Sequence, residues 1–204
     1  TVGIGKGAEN GILIRAGDAL QTSEKLDAVI LDKTGTITKG EPALTDVVVA
    51  KGFVETDVLR LAASLERGSE HPLGEAIVKG AEKKKLVLSD TEGFAAIPGH
   101  GVSGRIDGRA VLLGNAKLMR DRGIALGALT SDWERLANGG KTPMYVAIDG
   151  AAAGLVAVAD TVKPDSRAAI AVLRQLGIEV IMLTGDNERT AKAIAREVGV
   201  ERVF

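Results

Sequence analysis

Asp32-Lys33-Thr34-Gly35-Thr36, extended by Ile37-Thr38, follows directly on the apolar run Ala28-Val29-Ile30-Leu31. A short apolar run bounded by a polar, glycine-containing stretch reads as a buried strand. Here the strand ends on a carboxylate. In an open α/β sheet, ligands bind outside the carboxyl ends of the strands, so Asp32 is expected at the edge where chemistry takes place. An aspartate at such a place can attack a phosphoryl group and carry it as an aspartyl phosphate. The loop that follows offers backbone N–H groups and the hydroxyls of Thr34 and Thr36 to phosphate oxygens, with Lys33 beside them. The plain alternative is a polar turn behind a core strand, and the rest of the chain has to decide.

A second strand–turn–helix lies near the other end. Residues 178–183 read as a strand, Thr184-Gly185-Asp186-Asn187 as the turn, and a helix runs on to Gly199. Asn187 suits the N-cap and Gly199 the C-terminal stop. A hydroxyl and N–H groups at a helix N-terminus hold phosphate well. Just upstream, Asp160-Thr161-Val162-Lys163-Pro164 leads into a helix that Pro164 is expected to open. Its apolar residues Ala168, Ile170, Ala171, Val172, Leu173 and Leu176 run to Gly177. Val203-Phe204 reads as the start of a further strand.

Between these two α/β pieces the pattern changes. Lys39-Gly40-Glu41-Pro42 is a turn signal and a candidate hinge. Residues 44–50 read as a strand, 56–66 as a helix, and Pro72 sits in the first turn of another helix reaching Lys84. Asp107-Gly108 and Asp149-Gly150 each separate two short apolar segments, the strongest local signal for a hairpin. Helices are expected near 116–122 and 132–137, and strands at 144–148 and 152–159. The fold expected is therefore α/β: a parallel-sheet domain (1–38 and 159–204) into which an α+β domain on an antiparallel sheet (39–158) is inserted.

Composition bounds the function. With 45% apolar residues among 204 the chain builds a core, and with 2% aromatics that core is aliphatic. A net charge of −1 argues against nucleic acid as a partner. The absence of cysteine removes any disulfide partner or thiolate metal site. The longest mostly apolar run, 151–159, is well short of the roughly 18 residues of a membrane span. Both ends read as cut, so the chain is expected to be a fragment.

The stretch Asp32 to Thr38 resembles the phosphorylation motif of P-type ATPases, members of the haloacid dehalogenase superfamily. Phosphatases of that superfamily often carry a second aspartate two residues after the nucleophile. Here that position is Thr34, which takes no proton from water near neutral pH, so a long-lived acyl phosphate is expected. The resemblance implies that Thr184-Gly185-Asp186 contacts the nucleotide phosphates. It also implies that Asp160 and Lys163 lie at the hinge near them, and that Asp32 with the Thr34 carbonyl forms part of a Mg²⁺ site. A further motif, Gly-Asp-Gly-x-Asn-Asp, would complete that site and does not occur in the chain.

Ser69-Glu70-His71-Pro72-Leu73 and Gly99-His100-Gly101 resemble the nucleotide-binding domain of heavy-metal-transporting members. By that match His71 packs on or bonds the adenine of ATP, and Glu66 accepts from its amino group. Gly99 and Gly101 line the ribose and phosphate side, and Gly114-Asn115 completes the pocket. His100 receives no role. Gly99 to Gly104 also spells GxGxxG, but without a preceding strand and following helix it does not read as a dinucleotide site. Leu118-Met119 and residues 142–146 look copper-like, and no residue reads as a ligand of the transported ion. Met119 and Met144 are expected in the core. The implied whole is a prokaryotic plasma-membrane Cu⁺ pump, of which this chain is expected to be the cytoplasmic ATP-binding and phosphorylation region. Its partners would be the pump's own transmembrane and actuator domains. A soluble phosphatase, or a nucleotide-binding fragment without catalysis, stays as the alternative.

Overall fold

The structure, a computed structural model, describes residues 2–23, 25–186 and 188–204. Asn187, expected as an N-cap, lies outside the described residues. Two short helices, α1 (Val2–Glu9) and α2 (Gly17–Ser23), precede β1 (Ala28–Asp32). A wide turn, Lys33–Ile37, joins β1 to the long β2 (Thr38–Val49). Then come α3 (Glu55–Glu66), α4 (Pro72–Lys83), β3 (Thr91–Ile97), β4 (Gly101–Ile106) and β5 (Arg109–Gly114). α5 (Ala116–Asp121), α6 (Leu129–Asn138) and β6 (Thr142–Ile148) lead to a second long strand, β7 (Ala151–Val162). The chain finishes with α7 (Ser166–Gln175), β8 (Glu179–Leu183), α8 (Glu188–Val198) and β9 (Arg202–Val203).

Two sheets form. One is parallel, in the order β1-β8-β9; the other is antiparallel, in the order β2-β7-β6-β5-β4-β3. Val203 pairs with Met182, so the last residues do form the expected strand. Both Asp-Gly turns are tight hairpin corners with positive φ at both residues (51° and 77°, 50° and 82°), the conformation that favours this dipeptide. Pro72 occupies the first turn of α4, where a missing N–H leaves no bond unmade.

The antiparallel sheet is covered on both faces. α3 and α4 close one side over Leu59, Leu61, Leu65, Ile77, Ile106 and Ile148. α5 and α6 close the other over Leu118, Met119, Leu136, Tyr145 and Leu155. The parallel sheet has a smaller core of Ile37, Ile170, Val180, Met182, Ile194 and Val198.

Three expectations need correction. β1 is not a buried strand: it is an edge strand paired only with β8 among the described residues, and Ile30 is 64% exposed. α7 begins at Ser166 after a Pro164-Asp165 turn. Of its expected apolar face only Ile170 is buried, while Val172 and Leu176 are exposed, because α7 is covered on one side only, by β8 and α8. Finally, the strands expected at 44–50 and 152–159 are both longer. β2 and β7 pair from Val49↔Gly154 down to Thr38↔Val162, with a break in the ladder between Thr38 and Pro42. The candidate hinge is thus a bulge in a continuous two-stranded ribbon, turning at Gly40, whose φ is 77°.

Candidate functional site

Parallel pairing sets Asp32 beside Leu183, the residue before Thr184-Gly185-Asp186. The two motifs, more than 150 residues apart in sequence, therefore meet at one carboxyl edge. The Asp32 side chain is exposed there. The turn that follows bends outward through Thr34 (φ −76°, ψ 122°) and then through Gly35, whose φ of 74° favours glycine. Thr34, Gly35 and Thr36 are exposed, and Ile37 returns to the core.

Lys33 turns inward. The residue is 5% exposed, and its Nζ lies 2.5 Å from Asp186 Oδ2 and 3.9 Å from Asp160 Oδ2. Asp160 in turn accepts from the Gly40 N–H (2.9 Å), and its other oxygen lies 2.5 Å from the Thr38 hydroxyl. That hydroxyl is fully buried and also within 2.9 Å of the Lys33 carbonyl. Lys163 donates to the Gly35 carbonyl at 2.5 Å, behind the turn, and Ser166 donates to the Ile37 carbonyl at 2.8 Å. The Thr184 hydroxyl accepts from the Asp186 N–H at 3.1 Å. One network thus joins the turn, the hinge ribbon and the turn after β8. Thr38, the last residue of the motif, and Ser166, to which sequence reasoning gave no role, belong to it. A serine opening a helix next to a motif was the available signal for Ser166.

This edge gathers three carboxylates, Asp32, Asp160 and Asp186, and two ammonium groups: Lys33, paired with Asp186 and Asp160, and Lys163, on the Gly35 carbonyl. A phosphate arriving at Asp32 meets excess negative charge, which a hard divalent cation offsets. Asp32 and Thr34, the two residues expected to help hold Mg²⁺, are both exposed; oxygen donors suit that ion in kind, and two fall short of its shell. Among the described residues no group of three or more His, Asp or Glu side chains is poised around a metal position.

A second site lies in the antiparallel region. A cavity of about 360 Å³ is lined by Glu66, His71, Gly99, Gly101, Gly114 and Asn115, all six of the residues expected to bind ATP. Ile97, Leu113 and Met144 supply apolar wall; Met144 packs against the core cluster with its other side, and Met119 is wholly core. Glu66 ends α3 and is 7% exposed, and its Oε2 has no hydrogen-bond partner. Burial pushes its carboxyl above the usual range, against the opposing pull of the Ser69 hydroxyl and the His71 ring. His71 caps α4 by accepting the Leu73 N–H on Nδ1 (3.2 Å), so the neutral ring carries its proton on Nε2 as a free donor. His100, given no role from sequence, also lines the cavity, with Nδ1 2.7 Å from the Pro98 carbonyl.

The glycines have a structural reason as well. Gly101 and Gly114 face each other across β4 and β5, and a Cβ on either would overlap the opposite backbone. Asn115 caps α5 at Leu118 N–H (3.0 Å) and donates to the Gly99 carbonyl (2.9 Å), tying the cavity wall to that helix.

Comparison with known proteins adds an independent line. A family model described as haloacid dehalogenase-like hydrolase matches residues 26–204. The chain is 49% identical over 202 residues to the copper-exporting P-type ATPase of Bacillus subtilis (strain 168), covering 99% of this chain and 25% of that protein. It is 50% identical over 202 residues to the copper-transporting P-type ATPase of Rhizobium leguminosarum bv. viciae, covering 99% of this chain and 24% of that protein. The crystal structure of a zinc-transporting PIB-type ATPase in the E2.Pi state matches with a TM-score of 0.89 at 35% identity, over 99% of this chain and 32% of that one. The chain thus spans about a quarter of the length of these curated relatives. No helix among the described residues is long and apolar enough to cross a membrane.

Proposed function

The chain belongs to the haloacid dehalogenase-like hydrolase family, and from that premise we propose that it is the ATP-binding and phosphorylation region of a heavy-metal P-type ATPase, with Cu⁺ as the transported ion. The observation that carries this reading is the meeting of Asp32 with Thr184-Gly185-Asp186 at one sheet edge. The likeness to copper-type relatives supports the ion. Residues 1–38 and 159–204 make up the phosphorylation domain and 39–158 the nucleotide-binding domain. The membrane helices and actuator domain of the pump lie outside this chain, which works on the cytoplasmic side of a prokaryotic plasma membrane.

ATP docks with its adenine in the cavity. His71 Nε2–H and Glu66 meet the base, and the Gly99–Gly101 turn lies beside the ribose. Bending of the ribbon at Thr38–Gly40 and Ala159–Lys163 brings the γ-phosphate to Asp32. A carboxylate oxygen of Asp32 bonds to phosphorus in line as the bond to the bridging oxygen breaks, and that electron pair leaves with ADP. Asp32 and the Thr34 carbonyl would hold Mg²⁺, which supplies positive charge to the phosphate oxygens. The Thr184 hydroxyl and N–H groups of both turns bond those oxygens. Lys33, held by Asp186 and Asp160, fixes the two turns relative to each other. Thr34 cannot activate water, so the acyl phosphate persists for coupling.

A soluble phosphatase would need an acid at that position, and its test is separate: steady phosphate release from small esters without preference for ATP. In a membrane pump carrying this chain, γ-labelled ATP is expected to give an acid-stable, hydroxylamine-labile phosphoprotein that Asp32→Asn abolishes. Label persisting in Asp32→Asn would overturn the assignment. On the 204-residue chain, His71→Ala is expected to weaken binding of a non-hydrolysable ATP analogue about tenfold. Unchanged affinity would remove the adenine site.

A further inference from the structure

α4 carries a glycine where a helix is better served by alanine. Gly74 is the third residue of that helix, buried, and nothing about its backbone requires glycine: its φ is not positive. Glycine within a helix destabilises it relative to alanine. The space beside Gly74 explains its presence. A Cβ there would overlap Glu66 Oε2 and come within 3.0 Å of Glu66 Cδ, while the next nearest atom, Glu66 Cβ, lies at an ordinary 3.4 Å. The carboxyl of Glu66 therefore rests in a notch made by the missing side chain. Gly80, six residues on, shows the contrast. A Cβ there would meet Leu44 at its Cβ as well as its terminal atoms, so that glycine serves packing.

We propose that Gly74 is a positioning residue for base recognition: its lack of a side chain seats the Glu66 carboxyl at the depth in the cavity where it meets the exocyclic amine of an adenine. The proposal rests on the reading that this cavity takes the base of ATP. The overlapping atoms are the far end of a flexible side chain, so Gly74→Ala is accommodated by moving the carboxyl rather than the helix. The carboxyl swings away from α4 into the cavity, into the volume the base occupies. The fold is kept and the recognition is lost. Glu66→Asp, shorter by one methylene, withdraws the carboxyl and makes room for the new methyl.

The test uses the 204-residue chain, titrated by calorimetry with a non-hydrolysable ATP analogue and with the matching purine riboside analogue, which lacks the 6-amino group. Thermal melting without nucleotide runs in parallel. Gly74→Ala is expected to melt at or above the wild-type temperature, to weaken the adenine analogue about tenfold, and to weaken the purine analogue much less. In the Gly74→Ala background, Glu66→Asp is expected to restore part of the affinity, although alone it lowers it. A purely structural glycine predicts instead a lower melting temperature and equal losses for both analogues, and either result overturns the proposal. So does wild-type affinity in Gly74→Ala when Glu66→Gln weakens binding. If Glu66→Gln and His71→Ala both leave affinity unchanged, it is the adenine site itself that fails, and Gly74 with it.

Discussion

The antiparallel and parallel regions solve the same problem with different means. The antiparallel sheet is closed by helices on both faces, and its functional cavity is apolar with one buried carboxyl. The parallel sheet leaves β1 at an edge, and its functional turn is held by ion pairs and hydroxyl bonds to backbone. Packing fixes the walls of the cavity proposed to take the base. Polar ties fix the turn proposed to take the phosphate, and ties of that kind can exchange partners. The difference predicts where each region breaks.

The largest effect belongs to packing. Leu59 is completely buried between α3 and the antiparallel sheet, so Leu59→Ala is expected to cost about 3 kcal/mol through lost burial and a residual cavity. Native-state hydrogen exchange should show that loss in β5, β6 and β7, with β1 and β8 unaffected. Equal losses in both sheets would mean that the two regions unfold as one unit, which would undo the contrast.

Next comes the charged tie. Lys33→Met leaves Asp186 and Asp160 near each other without their shared cation. Breaking a buried pair by removing one partner costs several kcal/mol. Because a third of the Asp186 side chain is exposed, the expected loss is about 2 kcal/mol, confined to β1, β8 and the turns after them. An unchanged exchange profile would show that the network is ornament rather than support.

Much of this contrast could be read from sequence, and the part that could not has a common cause. Asp32, Thr184 and both Asp-Gly corners announce themselves because a strand end or a tight turn restricts residue choice locally. The partners of Lys33 were not legible. A lysine beside a proposed nucleophile suggests a phosphate ligand, and only the tertiary arrangement reveals two aspartates behind it. β1 misled for a similar reason: Val29, Ile30 and Leu31 read as a buried run, but burial depends on what lies on the other side, and Ile30 finds solvent. Gly101 and Gly114 were expected to line a ligand, yet their crowding comes first from each other.

The regions meet away from the ribbon as well, and a third prediction concerns that contact. Gly140, just after α6, lies against α8, where a Cβ would come 2.8 Å from Ala193 Cβ. Arg196 reaches the Asn138 carbonyl at 3.4 Å. Gly140 has φ 78°, so Gly140→Val adds backbone strain to the steric clash. A loss of about 1–2 kcal/mol is expected, together with a change in small-angle scattering as α6 moves off α8. Loss of stability with unchanged scattering would place the effect in the turn alone.

The smallest effect tests the buried carboxyl of the antiparallel region directly. Burial raises the Glu66 carboxyl above its usual value in the folded chain, with the Ser69 hydroxyl and the His71 ring opposing. Below about pH 4 the group is protonated folded or unfolded, and it contributes no pH dependence. As pH rises from there toward the folded-state value, the unfolded chain releases this proton first. The folded state then loses ground, and it loses no more once both states are ionised. Glu66→Gln removes the titration. The variant should therefore match wild type near pH 4 and be more stable at neutral pH, by about 1 kcal/mol, in urea melts without nucleotide. The gain should appear in the antiparallel region and leave the Lys33 network untouched. A variant less stable than wild type at neutral pH would mean that Glu66 gains more from its neighbours as an anion than burial takes from it, and the cavity would then be a charged site like the turn at Asp32.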